Sequence, residues 1–201
     1  MSGALRAVYG CMCAGKSEEI GRLIRRRDVS SRPWLAFKPE KDVRPPRHSW
    51  EASARVVRTP ESLMIAAYEV PAALVIVDEG QLFDPWIVAV VERLVNGGHD
   101  LVVAGLDLDY RGEPFGPMPA LIARADRHTH LYAVCSFCGS DFATRTLRYG
   151  GGDGQVVIGG AEMYAPACRP CWVDRSRAMH AQLARGARYL WSDDVPPTSP
   201  A

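Results

Sequence analysis

Apolar side chains fall along this chain in two textures. Short, largely apolar runs at Ala4 to Tyr9, Trp34 to Phe37, Leu74 to Val77 and Leu101 to Leu106 suit strands buried on both faces of a parallel sheet. Helical spacing separates them: Ile20, Leu23 and Ile24 share one face, and a second pattern runs from about Asp84 to Val95, with Gly97 and Gly98 as its stop signal. Strands alternating with helices predict right-handed crossovers and a doubly wound, mostly parallel sheet. Ligands of such sheets collect at the carboxyl ends of the strands, which is where Gly10, Asp78 and Asp107 fall.

Beyond about His130 the pattern shortens into β-type pieces: a Cys135/Cys138 pair, Phe142 to Leu147, a glycine cluster, Gln155 to Ile158, and a Cys168/Cys171 pair. A last helical pattern runs from about Val173 to Arg188, and the tail DDVPPTSPA reads as a frayed terminus. The division this predicts is an α/β nucleotide-binding domain over 1–133, a small β domain over 134–173, and a helix with its tail over 174–201.

The 201 residues leave room for little more than that. Lys plus Arg number 24 against 23 Asp plus Glu, so no global field draws the chain to nucleic acid or to a membrane. Nine Lys or Arg against three acids over residues 22–47 form a local excess, which reads first as a solvated helix face followed by a loop. Trp34 and Trp50 are too few to build a stacking track for single strands. The first ten residues lack the apolar run of a signal peptide and no stretch reaches the length of a membrane span, so a cytoplasmic location is the expectation. In that reducing setting paired cysteines suggest metal rather than disulfides.

Gly10, Cys11, Met12, Cys13, Ala14, Gly15, Lys16 and Ser17 spell the G-x-x-x-x-G-K-[ST] pattern, after a strand and at the start of a helix as its chemistry requires. Backbone N–H groups of such a loop curl round a phosphate, the helix N-terminus adds partial positive charge, Lys16 bridges phosphate oxygens, and Ser17 offers a hydroxyl to Mg²⁺. The bland alternative is a glycine turn followed by a surface lysine. Asp78 and Glu79, at the end of a buried strand, supply two carboxylates: Asp78 for Mg²⁺, and Glu79 to take a proton from an attacking hydroxyl, to orient a water, or merely to cap the next segment.

Cys135, Cys138, Cys168 and Cys171 are two C-x-x-C pairs about thirty residues apart, compatible with four thiolates on one tetrahedral Zn²⁺. Four ligands close the coordination sphere, so this zinc would be structural. Cys11 and Cys13 read as space fillers in the phosphate loop. His48, His99, His128, His130 and His180 show no ligand spacing, although His128 and His130 alternate on one strand-like face.

Taken together, GCMCAGKS at 10–17, FKPEKDVR at 37–44, VDEGQLF at 77–83, AGLDLDYRGEPFGPMP at 104–119 and VVIGGAEMYAPACRPC at 156–171 resemble the zinc-containing (type II) thymidine kinases. The resemblance implies a P-loop α/β domain with a zinc-tethered β domain whose lasso-like loop closes over the nucleoside. It implies Glu79 as the base for the thymidine 5′-hydroxyl and Arg44 as a clamp on the transferring phosphoryl group. Met12, Leu106, Tyr110 and Thr144 would line the thymine pocket, while Val156, Val157, Ile158, Gly159 and Tyr164 would form the lasso, with Arg111 near the phosphates. It further implies ATP and thymidine as substrates, dTMP and ADP as products, deoxyuridine as a second acceptor, dTTP as a feedback inhibitor, and a homotetramer. Two other readings of the motifs stand beside it: a P-loop ATPase with a nucleic-acid-binding zinc ribbon, and a nucleotide-binding regulator without turnover. The chain departs from the family pattern at Cys11, Cys13 and Ala14, where Pro, Phe and Ser are usual. It departs again at Tyr110, where Phe is usual, and throughout Pro45 to Trp50.

Overall fold

The computed structural model describes residues 3–71, 73–149, 154–157, 159 and 163–176. Strands β1 (Leu5–Tyr9), β2 (Trp34–Pro39), β3 (Arg55–Val57), β4 (Leu74–Val77), β5 (Leu101–Gly105) and β6 (Arg127–His130) form one sheet in the order β3-β2-β4-β5-β1-β6. Every neighbouring pair is parallel. Helices α1 (Lys16–Val29), α2 (Pro60–Tyr68), α3 (Trp86–Asn96) and α4 (Met118–Arg124) cover its two faces.

Alternation along the central strands explains the apolar runs. Val75, Val77, Leu101 and Val103 point into a core filled by Leu63 of α2, Ile87, Val91 and Leu94 of α3, and Met118 and Leu121 of α4. Leu74, Ile76, Val102 and Ala104 point the other way, onto Ile20 and Ile24 of α1 and onto Trp50. A strand with a helix layer on each side has no face on which polar residues are tolerated. The register sets Tyr9 of β1 beside Gly105 of β5, and Val77 of β4 beside Val103. With β5 between them, β1 and β4 deliver the loop after Tyr9 and the Asp78-Glu79 pair to the same edge of the sheet.

Elements outside the sequence reading are β3, α2 and α4, and all three carry weak or mixed signals. β3 spans three residues, two of them exposed, and α4 is a seven-residue helix containing Pro119. A start signal for α2 was present in the chain: Thr59 Oγ1 accepts from the Ser62 N–H at 3.3 Å, with Pro60 in the first turn. The RHTH segment of β6 is an edge strand, largely exposed, which is why it alternates without an apolar face.

In the cysteine region, β7 (Arg145–Arg148) pairs antiparallel with β8 (Tyr164–Ala167). The strand expected over Phe142 to Leu147 thus starts three residues later, with Ala143 making only an isolated bridge to Ala133. The piece expected over Gln155 to Ile158 is not a strand at 155–157, and residue 158 lies outside the described residues. Residues 169–176 are helical, so the last helix begins at the second cysteine pair rather than at Val173; its expected course to Arg188 and the tail lie beyond the described residues. Cys135, Cys168, Ala133 and Ala143 pack against Cys11 and Ala14 of the loop after β1. Among the described residues no helix is long and apolar enough to cross a membrane.

Candidate active site

The loop after β1 leaves the sheet under close constraint. At Gly10 (φ 148°) a Cβ would stand 2.2 Å from the Leu131 carbonyl oxygen, so any side chain there would push β1 away from the segment following β6. Helix α1 opens on Gly15 with no side-chain cap, so no capping side chain takes up its first N–H groups. The Lys16 ammonium donates to the Gly10 and Cys11 carbonyl oxygens at 3.1 and 2.7 Å. Desolvation lowers its pKa, and the carboxylate of Glu79 is the largest influence opposing that. Ser17 sits at the helix start, where its carbonyl accepts from the Trp50 indole at 3.3 Å.

Cys11 fills space as expected: it is buried, its thiol donates to the Ala143 carbonyl at 3.2 Å, and burial pushes its pKa up to about 11. Cys13 does not. It is exposed and held at φ 61°, so the filler reading is corrected for this residue.

Across the site, Asp78 is nearly buried at the end of β4, and its N–H donates to the Phe37 carbonyl at 2.9 Å. Burial, and then the adjacent charge of Glu79, push its carboxyl pKa up to about 8. Glu79 adopts a left-handed backbone (φ 52°, ψ 43°) and begins the tight turn Gly80–Leu82. One of its oxygens, Oε1, lies 2.5 Å from Arg44 Nη2; the other accepts from Gln81 Nε2 at 2.5 Å. Arg44 also donates through Nε to Asp42 Oδ1 at 2.6 Å. Burial alone would lower the arginine's pKa, but the Asp42 hydrogen bond and the charge of Glu79 outweigh it and raise it.

Two cavities meet at this pair. One is lined by Met12, Leu106, Tyr110, Val156, Val157, Gly159 and Tyr164. The other is lined by Ser17, Lys38, Arg47, Trp50, Glu51 and Asp78. Arg44 and Glu79 line both. The first is therefore walled by the residues expected to grip a base, with one correction. Thr144 does not line it; its carbonyl and hydroxyl oxygens accept from the Arg145 guanidinium at 3.0 and 3.3 Å. Thr146, one strand repeat further along β7, lines the cavity instead, and its hydroxyl accepts from the Met12 N–H at 3.1 Å. Ile158 lies outside the described residues. Leu82, Phe115 and Gln155 also line the cavity and had drawn no assignment from the sequence, although two of them sit inside quoted motifs.

The cavity wall is braced from below. The Arg148 guanidinium lies 3.5 Å from the centre of the Tyr110 ring, the Tyr110 hydroxyl accepts from Arg111 Nε at 2.7 Å, and its carbonyl accepts from the Trp172 indole at 3.2 Å. Asp109, almost wholly buried, accepts from the N–H groups of Arg111 and Glu113 and from Gln155 Nε2 at 3.0 Å. The Tyr164 hydroxyl donates to the Val157 carbonyl at 2.5 Å. The segment 154–157 is thus tied to Asp109 on one side and to β8 on the other.

Cys135, Cys138, Cys168 and Cys171 bring their four sulfur atoms within 4.8 Å of one another, and Cys138 and Cys168 are 3.6 Å apart. Tetrahedral thiolate ligation at about 2.3 Å places sulfur atoms about 3.8 Å apart, so the cluster fits one metal ion. Burial works against ionisation of Cys135, but the N–H groups of Cys168, Phe137 and Cys138 bring its thiol down to about 6, while hydrogen bonds that the Cys171 thiol donates to its sulfur neighbours, Cys168 first, hold it up at about 12. Trp172, which bonds Tyr110, directly follows the last cysteine.

Comparison with known proteins agrees with this geometry. The family described as thymidine kinase matches residues 3–172. A thymidine kinase of Coprothermobacter proteolyticus is 39% identical over 178 residues, covering 83% of this chain and 88% of that one. A thymidine kinase of Porphyromonas gingivalis is 37% identical over 176 residues, 85% of each. Among solved structures, the genome-packaging NTPase B204 of Sulfolobus turreted icosahedral virus 2 covers 65% of this chain and 75% of its own, at 13% identity and a TM-score of 0.43, too distant to carry an argument. A mostly parallel α/β fold, a phosphate loop facing two carboxylates and a four-cysteine cluster accompany a family match over nearly all the described residues: the chain belongs to the thymidine kinase family and is a thymidine kinase.

Proposed function

We propose that this enzyme transfers the γ-phosphoryl group of ATP to the 5′-hydroxyl of thymidine, giving dTMP and ADP, accepts deoxyuridine as well, and serves pyrimidine deoxynucleoside salvage in the cytoplasm. The observation that carries the proposal is the position of Glu79 and Arg44 on the walls of both cavities. A phosphate held over loop 10–17 and a sugar hydroxyl reaching out of the Tyr110 cavity would meet at those two side chains.

In this reading Glu79 accepts the hydroxyl proton as the oxygen attacks, and Arg44 turns from the carboxylate to the transferring phosphoryl group. Lys16 exchanges two loop carbonyls for phosphate oxygens. Ser17 and Asp78 would hold Mg²⁺, which would supply neutralisation of the charge developing on the phosphates. Met12, Leu106, Tyr110 and Thr146 enclose the base, and 156–159 with Tyr164 form the lid that keeps water from the phosphoryl group. Cys135, Cys138, Cys168 and Cys171 would hold a structural Zn²⁺ and so fix the base of that lid. Residues 1–133, 134–173 and 174–201 serve as nucleotide-binding part, lid-bearing part and C-terminal extension. Family likeness also supports a homotetramer and feedback inhibition by dTTP. Purified protein incubated with Mg²⁺-ATP and a panel of nucleosides tests the proposal: dTMP and ADP should appear in equal amounts with thymidine, and dUMP with deoxyuridine. ATP hydrolysis that single-stranded DNA stimulates and thymidine does not would overturn it.

A further inference from the structure

Gln81 is 4% exposed, and both ends of its amide are occupied. Oε1 accepts from the Leu106 N–H at 2.9 Å, and Nε2 donates to Glu79 Oε2 at 2.5 Å. This orientation is dictated by chemistry: a backbone N–H only donates, so the oxygen must face Leu106 and the NH₂ group must face the carboxylate. The side chain is packed into that pose. A Cβ on Gly105, the last residue of β5, would stand 2.4 Å from Gln81 Oε1.

Glu79 needs such a hold. Its left-handed backbone sends the side chain off the course of β4, and its other oxygen is held by Arg44, which the proposed reaction draws toward the phosphoryl group. Gln81 is anchored on the opposite side, to the backbone of the strand end that lines the nucleoside cavity. A carboxylate offers about four lone-pair sites. One donor on each oxygen leaves one site per oxygen for an incoming hydroxyl, with the plane of the group fixed from two sides.

We propose that Gln81 is a positioning residue that locks Glu79, through a rigid amide bridge to the Leu106 backbone just past β5, in the orientation that receives the hydroxyl proton. This rests on the reading of Glu79 as the base. Displacing a reacting group by about 1 Å can lower turnover about 10²-fold without weakening binding, so loss of the bridge should act on kcat and leave KM alone.

The test is a set of variants assayed for dTMP formation, each with its melting temperature and ATP affinity measured. Gln81→Met keeps length and burial but removes both hydrogen bonds. Gln81→Leu, somewhat smaller and equally apolar, also removes both hydrogen bonds, and is read in the same way should the methionine variant not fold. The expected result is a kcat lower by about 10- to 100-fold with KM for ATP and thymidine within about threefold of the parent. In a Glu79→Gln background Gln81→Met should add little, because a residue acting only through Glu79 has nothing left to position. Turnover within about twofold of the parent, a full additive loss in the double variant, or a defect confined to the KM for thymidine would each overturn the proposal. Failure of the underlying reading is seen separately, as undiminished turnover in Glu79→Gln alone.

Discussion

Arg44 and Glu79 form an ion pair, Nη2 to Oε1 at 2.5 Å, on the wall shared by the cavities on either side. The guanidinium and the carboxylate satisfy each other, and Asp42 holds the guanidinium from behind through Nε at 2.6 Å. Arg44→Lys retains charge but has no fork with which to bond Asp42 and a phosphoryl oxygen together. Turnover of Arg44→Lys should fall about 10-fold and that of Arg44→Met about 100-fold or more, with thymidine affinity in an equilibrium binding measurement little altered. Equal activity of the lysine variant and the parent would mean that the second hydrogen-bonding arm does nothing in the reaction.

Thr146 and Thr144 make a paired prediction. Thr146→Val keeps the shape of a nearly buried side chain but strips the acceptor from the Met12 N–H. An unpaired donor at the cavity wall should raise the KM for thymidine severalfold and lower stability by about 1–2 kcal/mol. Thr144→Val, outside the cavity, should leave the KM for thymidine unchanged. Steady-state kinetics on the two variants separates them, and the reverse ranking would return Thr144 to the pocket.

These two threonines also mark where the sequence stops being legible. Central strands, the phosphate loop and the acidic end of β4 announce themselves locally, since a chain buried between two helix layers must be apolar at each position. Thr144 and Thr146 share strand parity, and only the pairing of Thr146 with Pro166 across β7 and β8 places the second one at the cavity. Gln81 was visible as a letter in VDEGQLF, but its role depends on Leu106, 25 residues away. β3 and β6, the two edges of the sheet, bury too little to leave an apolar signature, whereas the Thr59 cap of α2 was a local signal that went unread.

Cys11 provides a pH test with a definite sign. Its folded-state thiol is raised from about 9 to about 11 by burial, so the folded form holds a proton that the unfolded chain releases first. The stability this represents is complete below about pH 8.5 and is lost as pH rises through the interval to about 11. A two-unit shift corresponds to about 2–3 kcal/mol. Cys11→Ala should therefore lose less stability than the parent between pH 8.5 and 11, by about that amount, in denaturant titrations at a series of pH values. Parallel curves for the two proteins would show that the thiol ionises freely in the fold.

Trp172 connects the cysteine cluster to the cavity walled by Tyr110, and metal removal should be felt there. The indole N–H bonds the Tyr110 carbonyl at 3.2 Å from the residue immediately after Cys171, so its place depends on how the four sulfur atoms are held. Cys168→Ala leaves three thiols, and a bound metal normally supplies much of the folding free energy of so small a β unit. Its metal content should drop well below one ion per chain and its KM for thymidine should rise about 10-fold or more; its affinity for ATP should fall by less, because loop 10–17, although Cys168 packs against its Cys11 and Ala14, is carried by β1 and α1. Trp172→Phe should reproduce part of the thymidine defect with metal content intact, since it removes the indole donor alone. Elemental analysis alongside kinetics on both variants decides the matter: a full complement of metal in Cys168→Ala, or an unchanged KM in both, would separate the cluster from the site.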